Sequence, residues 1–181
     1  MKNFDLIEKT NEVYEHFKDF FWGVGYFGWQ ISTLYALYVS YSISYIHALV
    51  YSIVFIMSGW LNHIILKHYI NDPRPKDSAA FLANEKIRFN DNGMPSGHSQ
   101  MTAYSLTFAY LLSGKYFYES IALFFITIYQ RYIYKNHTIP QLFVGGIIGL
   151  ITAYLTKTFI IMISDKDKPI SKANKINIRK N

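Results

Sequence analysis

The chain has 181 residues, no cysteine, 51% hydrophobic residues, 17% charged residues and a net charge of +6. These averages exclude an intrinsically disordered chain and a disulfide scaffold, and a mean hydropathy of +0.08 matches an ordinary soluble protein. The placement of the charges argues against a soluble protein. No Asp, Glu, Lys or Arg occurs in 20–66, 92–114, 120–130 or 136–156, and a bilayer, unlike a soluble core, needs uncharged runs of that length.

In chain order, Phe4, Ile7, Val13, Tyr14, Phe17 and Phe20 recur at helical spacing, with Glu8, Glu12, Glu15 and Asp19 between them. This predicts an amphipathic surface helix over 1–19. The uncharged run 20–66 exceeds the ~20 residues that cross the hydrocarbon. It divides near Ser42–Tyr45 into spans at about 22–42 and 46–66. A third span begins near Ser96 and ends before Lys115, a fourth covers about 116–134, and a fifth runs from Ile139 to about 160, with Lys157 free to snorkel outward. The expected fold is thus an all-α, integral-membrane bundle of about five helices over 20–163, followed by a basic tail over 164–181. The six basic residues from Lys166 to Lys180 form a short tail, and the 16 Tyr and 14 Phe sit mainly in apolar runs. The expected partner is therefore the bilayer and a membrane lipid, with no nucleic acid and no cofactor. The start of the chain lacks a basic region followed by an apolar core, so no cleavable signal peptide is expected.

Five spans bring the ends of spans two and four and the starts of spans three and five to one membrane face. The 67–95 loop, broken by Pro73, Pro75, Gly93 and Pro95, lies there too. Clustered basic residues in the tail place the C-terminus in the cytoplasm and this loop face outside or in a lumen. Lys67, Arg74, Arg131, His98, His137 and the start of span three all converge on it. A helix N-terminus with Gly97 and Ser96 offers donors to an anion. Lys67, Arg74 and Arg131 are able to neutralise a phosphoryl group without metal, and no acidic cluster on this face matches a Mg²⁺ or Ca²⁺ site. Two imidazoles beside one phosphate point to a nucleophile and a general acid. His137 and Gln141 are four residues apart and share a face if span five begins at His137, in which case the Gln141 carbonyl is expected to accept from His137 Nδ1 and leave Nε2 free to attack.

The ordered set Lys67-x6-Arg74-Pro75, Pro95-Ser96-Gly97-His98 and Arg131-x5-His137 resembles the three-part signature of the type-2 phosphatidic acid phosphatase superfamily. The resemblance covers about 67–141. It implies a helical fold and a phosphohistidine mechanism. In that mechanism His137 attacks phosphorus, His98 protonates the leaving oxygen, and Lys67, Arg74, Ser96, Gly97 and Arg131 hold the phosphoryl oxygens. Two positions depart from the common pattern: Gln130 stands where most members have Ser, and Gln141 where most have Asp. The strings Gly93 to Gln100 and His137-Thr138-x-x-Gln141 look most like the dolichyl diphosphatase branch, which points to a polyprenyl diphosphate substrate. Phosphatidate or a small sugar phosphate, and a non-catalytic scaffold of the same fold, are the other readings.

The remaining polar features have simpler explanations. His47 and His63 are expected to pack inside the bundle. Gly145, Gly149 and Ala153 read as a close-packing stripe. Asn136-His137-Thr138 forms a glycosylation sequon that the neighbouring nucleophile would leave unused.

Overall fold

The computed structural model describes residues 18–79 and 91–166. The surface helix expected over 1–19 and the basic tail expected over 164–181 fall almost wholly outside these residues. Every regular element among the described residues is helical, and one isolated bridge joins Pro73 to Asn92.

Helix α1 (18–26) leads through a turn at Phe27 into α2 (Gly28–Ile43). Phe27 N–H still donates to Gly23 O, and Ile31 N–H to Phe27 O, each at 2.9 Å, so the i→i−4 ladder runs through the turn. Ser44 then breaks the chain in an extended conformation. Its hydroxyl accepts from Ile46 N–H at 3.1 Å and starts α3 (Tyr45–Ile70), which contains a π-helical stretch over Leu61–Leu66. Helix α4 (Gly97–Ser113) stops at Gly114, whose φ of 66° is open to glycine at little cost. Helices α5 (Phe117–Ile133) and α6 (Ile139–Lys166) complete the set.

These helices begin and end within a few residues of the stretches expected from the charge-free runs, and the break at Ser44 falls where 20–66 was divided. Two helices, Tyr45–Ile70 and Ile139–Ser164, are long and apolar enough to cross a membrane. Helices α4 and α5 have 17 residues each, or about 25 Å of rise, a little under the ~30 Å hydrocarbon thickness.

Helix α4 is the centre of the bundle, packed most extensively against α6 and next against α2. The contact with α6 depends on two glycines. A Cβ on Gly145 would strike the Ser96 carbonyl, and one on Gly149 would strike the Gln100 carbonyl. The small-residue stripe is therefore a helix-packing surface, as its spacing indicated. Below the glycines, Tyr51, Tyr104 and Phe108 stack, with ring centroids 5.2–6.0 Å apart. Their polar tips are satisfied internally. The Tyr51 and Ser105 hydroxyls meet at 2.7 Å, and Tyr104 donates to Tyr51 O at 3.3 Å. The same economy closes Asn62 Nδ2 onto Gln100 Oε1 at 2.5 Å and Gln100 Nε2 onto Ser58 Oγ at 2.6 Å. Lys157 corrects the expectation that it snorkels outward. Its Nζ donates to Leu111 O at 3.0 Å, because the last turn of α4 offers carbonyls without helical partners.

Candidate active site

The three motif segments meet where α3 ends, α4 and α6 begin and α5 ends. The first and second segments are joined before they reach the helices. Arg74 N–H donates to Asp91 O at 3.1 Å and Gly93 N–H to Asp72 O at 2.7 Å, which lays 72–74 antiparallel to 91–93. Lys67, 1% exposed, fastens this pair to α3. Its Nζ donates to Asn92 O at 2.9 Å and to Gly93 O at 3.5 Å, while Asn92 Nδ2 returns a bond to Lys67 O at 2.8 Å.

The third segment starts at Arg131 in the last turn of α5. Lys135, at φ 50°, reverses the chain, and Asn136 N–H closes the turn onto Arg131 O at 3.0 Å. This brings His137 back beside Arg131 and Arg74. Arg74 Nη1 lies 3.0 Å from both Asn136 O and His137 Nε2. Since a guanidinium only donates, His137 Nε2 accepts here, so the neutral ring carries its proton on Nδ1. His137 is 2% exposed. Burial, and after it the charges of Arg74, Arg131 and Lys67, hold its imidazole well below the usual histidine range. A neutral imidazole whose Nε2 lone pair lies beside Arg74 has the chemistry a nucleophile needs.

Arg131, 3% exposed, lies with its guanidinium carbon 5.7 Å from the centre of the Tyr26 ring. His98, in the first turn of α4, sits with its ring 5.9 Å from Tyr26 and 6.1 Å from Trp29. His98 Nε2 is buried and makes no hydrogen bond among the described residues. Arg131, Arg74, His63 and Lys67 are all close enough to act on the ring electrostatically. Ser96 is fully buried and caps α4, its hydroxyl accepting from Ser99 N–H at 3.4 Å. Gly97 follows in the first turn, where its missing side chain leaves the helix start open.

Gln141 departs from what the spacing indicated. Its carbonyl oxygen accepts from Thr138 N–H at 3.1 Å, and its Nε2 donates to Asp72 Oδ2 at 2.8 Å and to Pro73 O at 2.9 Å. The expected bond to His137 Nδ1 is not made, and that nitrogen has no partner among the described residues. The physical reason is where the helix starts. Helix α6 begins at Ile139, so His137 lies outside it and the two side chains do not share a helical face. Gln141 instead joins all three segments, since its own carbonyl accepts from Ser96 N–H at 3.0 Å. Gly93 makes room for this junction, because a Cβ there would overlap the Gln141 amide.

One neighbour was misread from the sequence. His63 was expected to pack in the bundle, yet its Nε2 lies 3.5 Å from where a Cβ on Gly97 would stand. The available signal was its position four residues before Lys67, one helical turn from a motif residue. His47, by contrast, bonds locally to Ser44 Oγ at 3.2 Å. The sequon Asn136 is 1% exposed and donates to Ala79 O at 3.0 Å, so a glycan would have to break this turn. No group of three or more His, Asp or Glu among the described residues is arranged to hold a metal ion.

A family model for the PAP2 superfamily matches residues 47–164, well over half of the chain. The chain belongs to the PAP2 superfamily. No curated protein and no solved structure matches it. Membership in the PAP2 superfamily implies phosphatase activity on phosphate esters, and the matched region contains Lys67, Arg74, Ser96, Gly97, His98, Arg131, His137 and Gln141.

Proposed function

We propose that this PAP2 protein is an integral-membrane lipid phosphatase that cleaves a polyprenyl diphosphate through a phosphohistidine and without a metal. The observation that carries this reading is the buried, neutral His137, whose Nε2 lies 3.0 Å from Arg74 Nη1, with Arg131 and Lys67 close by. In the structure Arg74 donates to the Nε2 lone pair. An incoming phosphoryl group is a stronger acceptor than an imidazole, so it draws Arg74 onto its own oxygens and frees Nε2 for in-line attack.

In the first step a bond forms from His137 Nε2 to phosphorus and the bond from phosphorus to the leaving oxygen breaks. His98 donates a proton to that oxygen. In the second step the neutral His98 accepts a proton from water, the resulting oxygen attacks phosphorus, and the N–P bond breaks to release phosphate. Arg74, Arg131 and Lys67 stabilise the charge on the equatorial oxygens throughout, and the first turn of α4 from Gly97 adds backbone donors. Gln141 serves as a positioning residue that keeps the Asp72–Arg74 strand against α6.

The proposed setting is a multi-pass protein of five spans, with the site on the extracytoplasmic or lumenal face and the C-terminus in the cytoplasm. Two helices of sufficient length and apolarity support the membrane placement. The preference for a polyprenyl diphosphate rests on the wording of the second and third motifs. The test is phosphate release by the purified protein in detergent from phosphatidate, a long-chain polyprenyl diphosphate and glucose 6-phosphate, with a chelator present. The diphosphate is expected to be the best substrate. A preference for glucose 6-phosphate would overturn the lipid assignment, and no release from any of the three would favour a scaffold.

A further inference from the structure

Helices α5 and α6 both pack on α4, and between them runs an apolar groove of about 620 Å³. That is within the range of small-molecule sites and far larger than a packing gap. Phe124, Ile128 and Tyr132 form one wall, and Ile139, Ile147 and Leu150 the other. Its lining includes none of the site residues, but two of its residues adjoin them along the chain. Tyr132 directly follows Arg131, and Ile139 comes two residues after His137. Its floor adjoins α4 beside His98: Ser99 Oγ donates to Leu142 O at 2.6 Å, and a Cβ on Gly146 would lie 3.5 Å from the same hydroxyl.

We infer that this groove holds the hydrocarbon chain of the ester whose phosphate occupies the candidate site, a conclusion that rests on the lipid-phosphatase reading. Its length supports that occupant. From Ile139 to Leu150 helix α6 rises about 16 Å, roughly half of the ~30 Å hydrocarbon thickness. A chain that starts at the headgroup and ends within its own leaflet has that length. A second hollow of about 300 Å³ shares Phe124, Phe125 and Leu150 with the groove and continues towards Phe117, which gives a longer chain somewhere to go. No charged side chain lines either hollow. The groove therefore selects for chain and leaves headgroup recognition to the cations above it.

The test compares the full-length protein with Ile147→Trp and Leu150→Trp, which place an indole in the groove. Ile147 is 40% and Leu150 44% exposed, so neither change disturbs the packed core. Ile56→Trp, at a position 69% exposed on α3, is the control for a lipid-facing tryptophan. Hydrolysis is measured on a long-chain polyprenyl diphosphate and on a water-soluble short-chain isoprenyl diphosphate. The expected result is a loss of about tenfold or more in kcat/KM on the long chain for the groove variants. Their short-chain activity should stay within about twofold of wild type, as should both activities of the control. Equal losses on both substrates, or no loss on either, would overturn the inference. Should the wild type hydrolyse neither substrate, the phosphatase reading fails, and the groove is then read separately by photolabelling. The probe is a long-chain diphosphate with a photoreactive group in its chain. Labelling of 124–132 and 139–150 that excess short-chain diphosphate prevents would support the groove. Labelling that the headgroup does not compete away marks bystander bilayer lipid only. Labelling elsewhere, with the groove closed by a second copy, would equally refute the inference.

Discussion

His137 combines burial, two neighbouring arginines and a fixed tautomer, and each has a measurable consequence. On the proposed mechanism His137→Ala removes the atom that bonds to phosphorus, so phosphate release should fall to background while the protein still purifies as a folded species. The pH dependence follows from the lowered pKa. The free enzyme needs neutral His137, so the acid limb of kcat/KM should lie below the ordinary histidine value of about 6.5. Stability follows the same sign. As pH falls below about 6.5 the unfolded chain takes up a proton at this position that the folded chain refuses, so stability is lost there and not above. An acid limb at or above that value would contradict a buried, neutral nucleophile. Gln141 separates positioning from catalysis. Gln141→Ala should leave measurable activity, whereas Gln141→Glu should leave less, because a carboxylate there faces the Asp72 carboxylate instead of donating to it. If the Glu variant matches or exceeds the Ala variant, the Asp72 contact does not matter.

Among the elements, α4 depends on close approach by α6. Gly149→Ala places a methyl group against the Gln100 carbonyl, and such overpacking costs about 1–3 kcal/mol. A lower thermal midpoint in detergent checks this, and an unchanged midpoint would show that α6 shifts freely. Gln130 presents the opposite case. It is fully buried in α5, and neither its amide oxygen nor its nitrogen is bonded among the described residues. Gln130→Met should therefore raise the midpoint, since a buried unpaired polar group costs about 1–3 kcal/mol. A lower midpoint would mean the amide has a partner. The helices themselves were legible from the sequence because charge-free runs, Ser44, Gly114 and Ser96 mark their limits by simple chemistry. The site residues were legible as a set, since topology alone sends Lys67, Arg74, His98, Arg131 and His137 to one end of the bundle. Their bonding was not. The Gln141 expectation assumed a helix that includes His137, and a start two residues later, at Ile139, left the amide bonded to Asp72. His63 lies within the π-helical stretch of α3, which an apolar sequence does not signal.

For the whole molecule, the charge asymmetry of the sequence resolves into two regions. The apolar lengths of α3 and α6 suit a bilayer, and the loop end gathers Lys67, Arg74 and Arg131. Lys67 and Arg131 are at most 3% exposed, so a phosphate that reached them would meet donors held away from water. Vanadate, which adopts five-coordinate geometry with oxygen ligands, should inhibit competitively and raise the thermal midpoint, whereas a neutral polar compound should do neither. The central claim, a metal-independent phosphohistidine phosphatase for a lipid diphosphate, is tested most directly by one measurement. Radiolabelled polyprenyl diphosphate carrying label in its terminal phosphate is mixed with the purified protein and a chelator, and the reaction is quenched in alkali during turnover. The prediction is an acid-labile, alkali-stable label on the wild-type protein that is absent from His137→Ala. Phosphate release that requires added Mg²⁺, or that persists in His137→Ala, would contradict the claim.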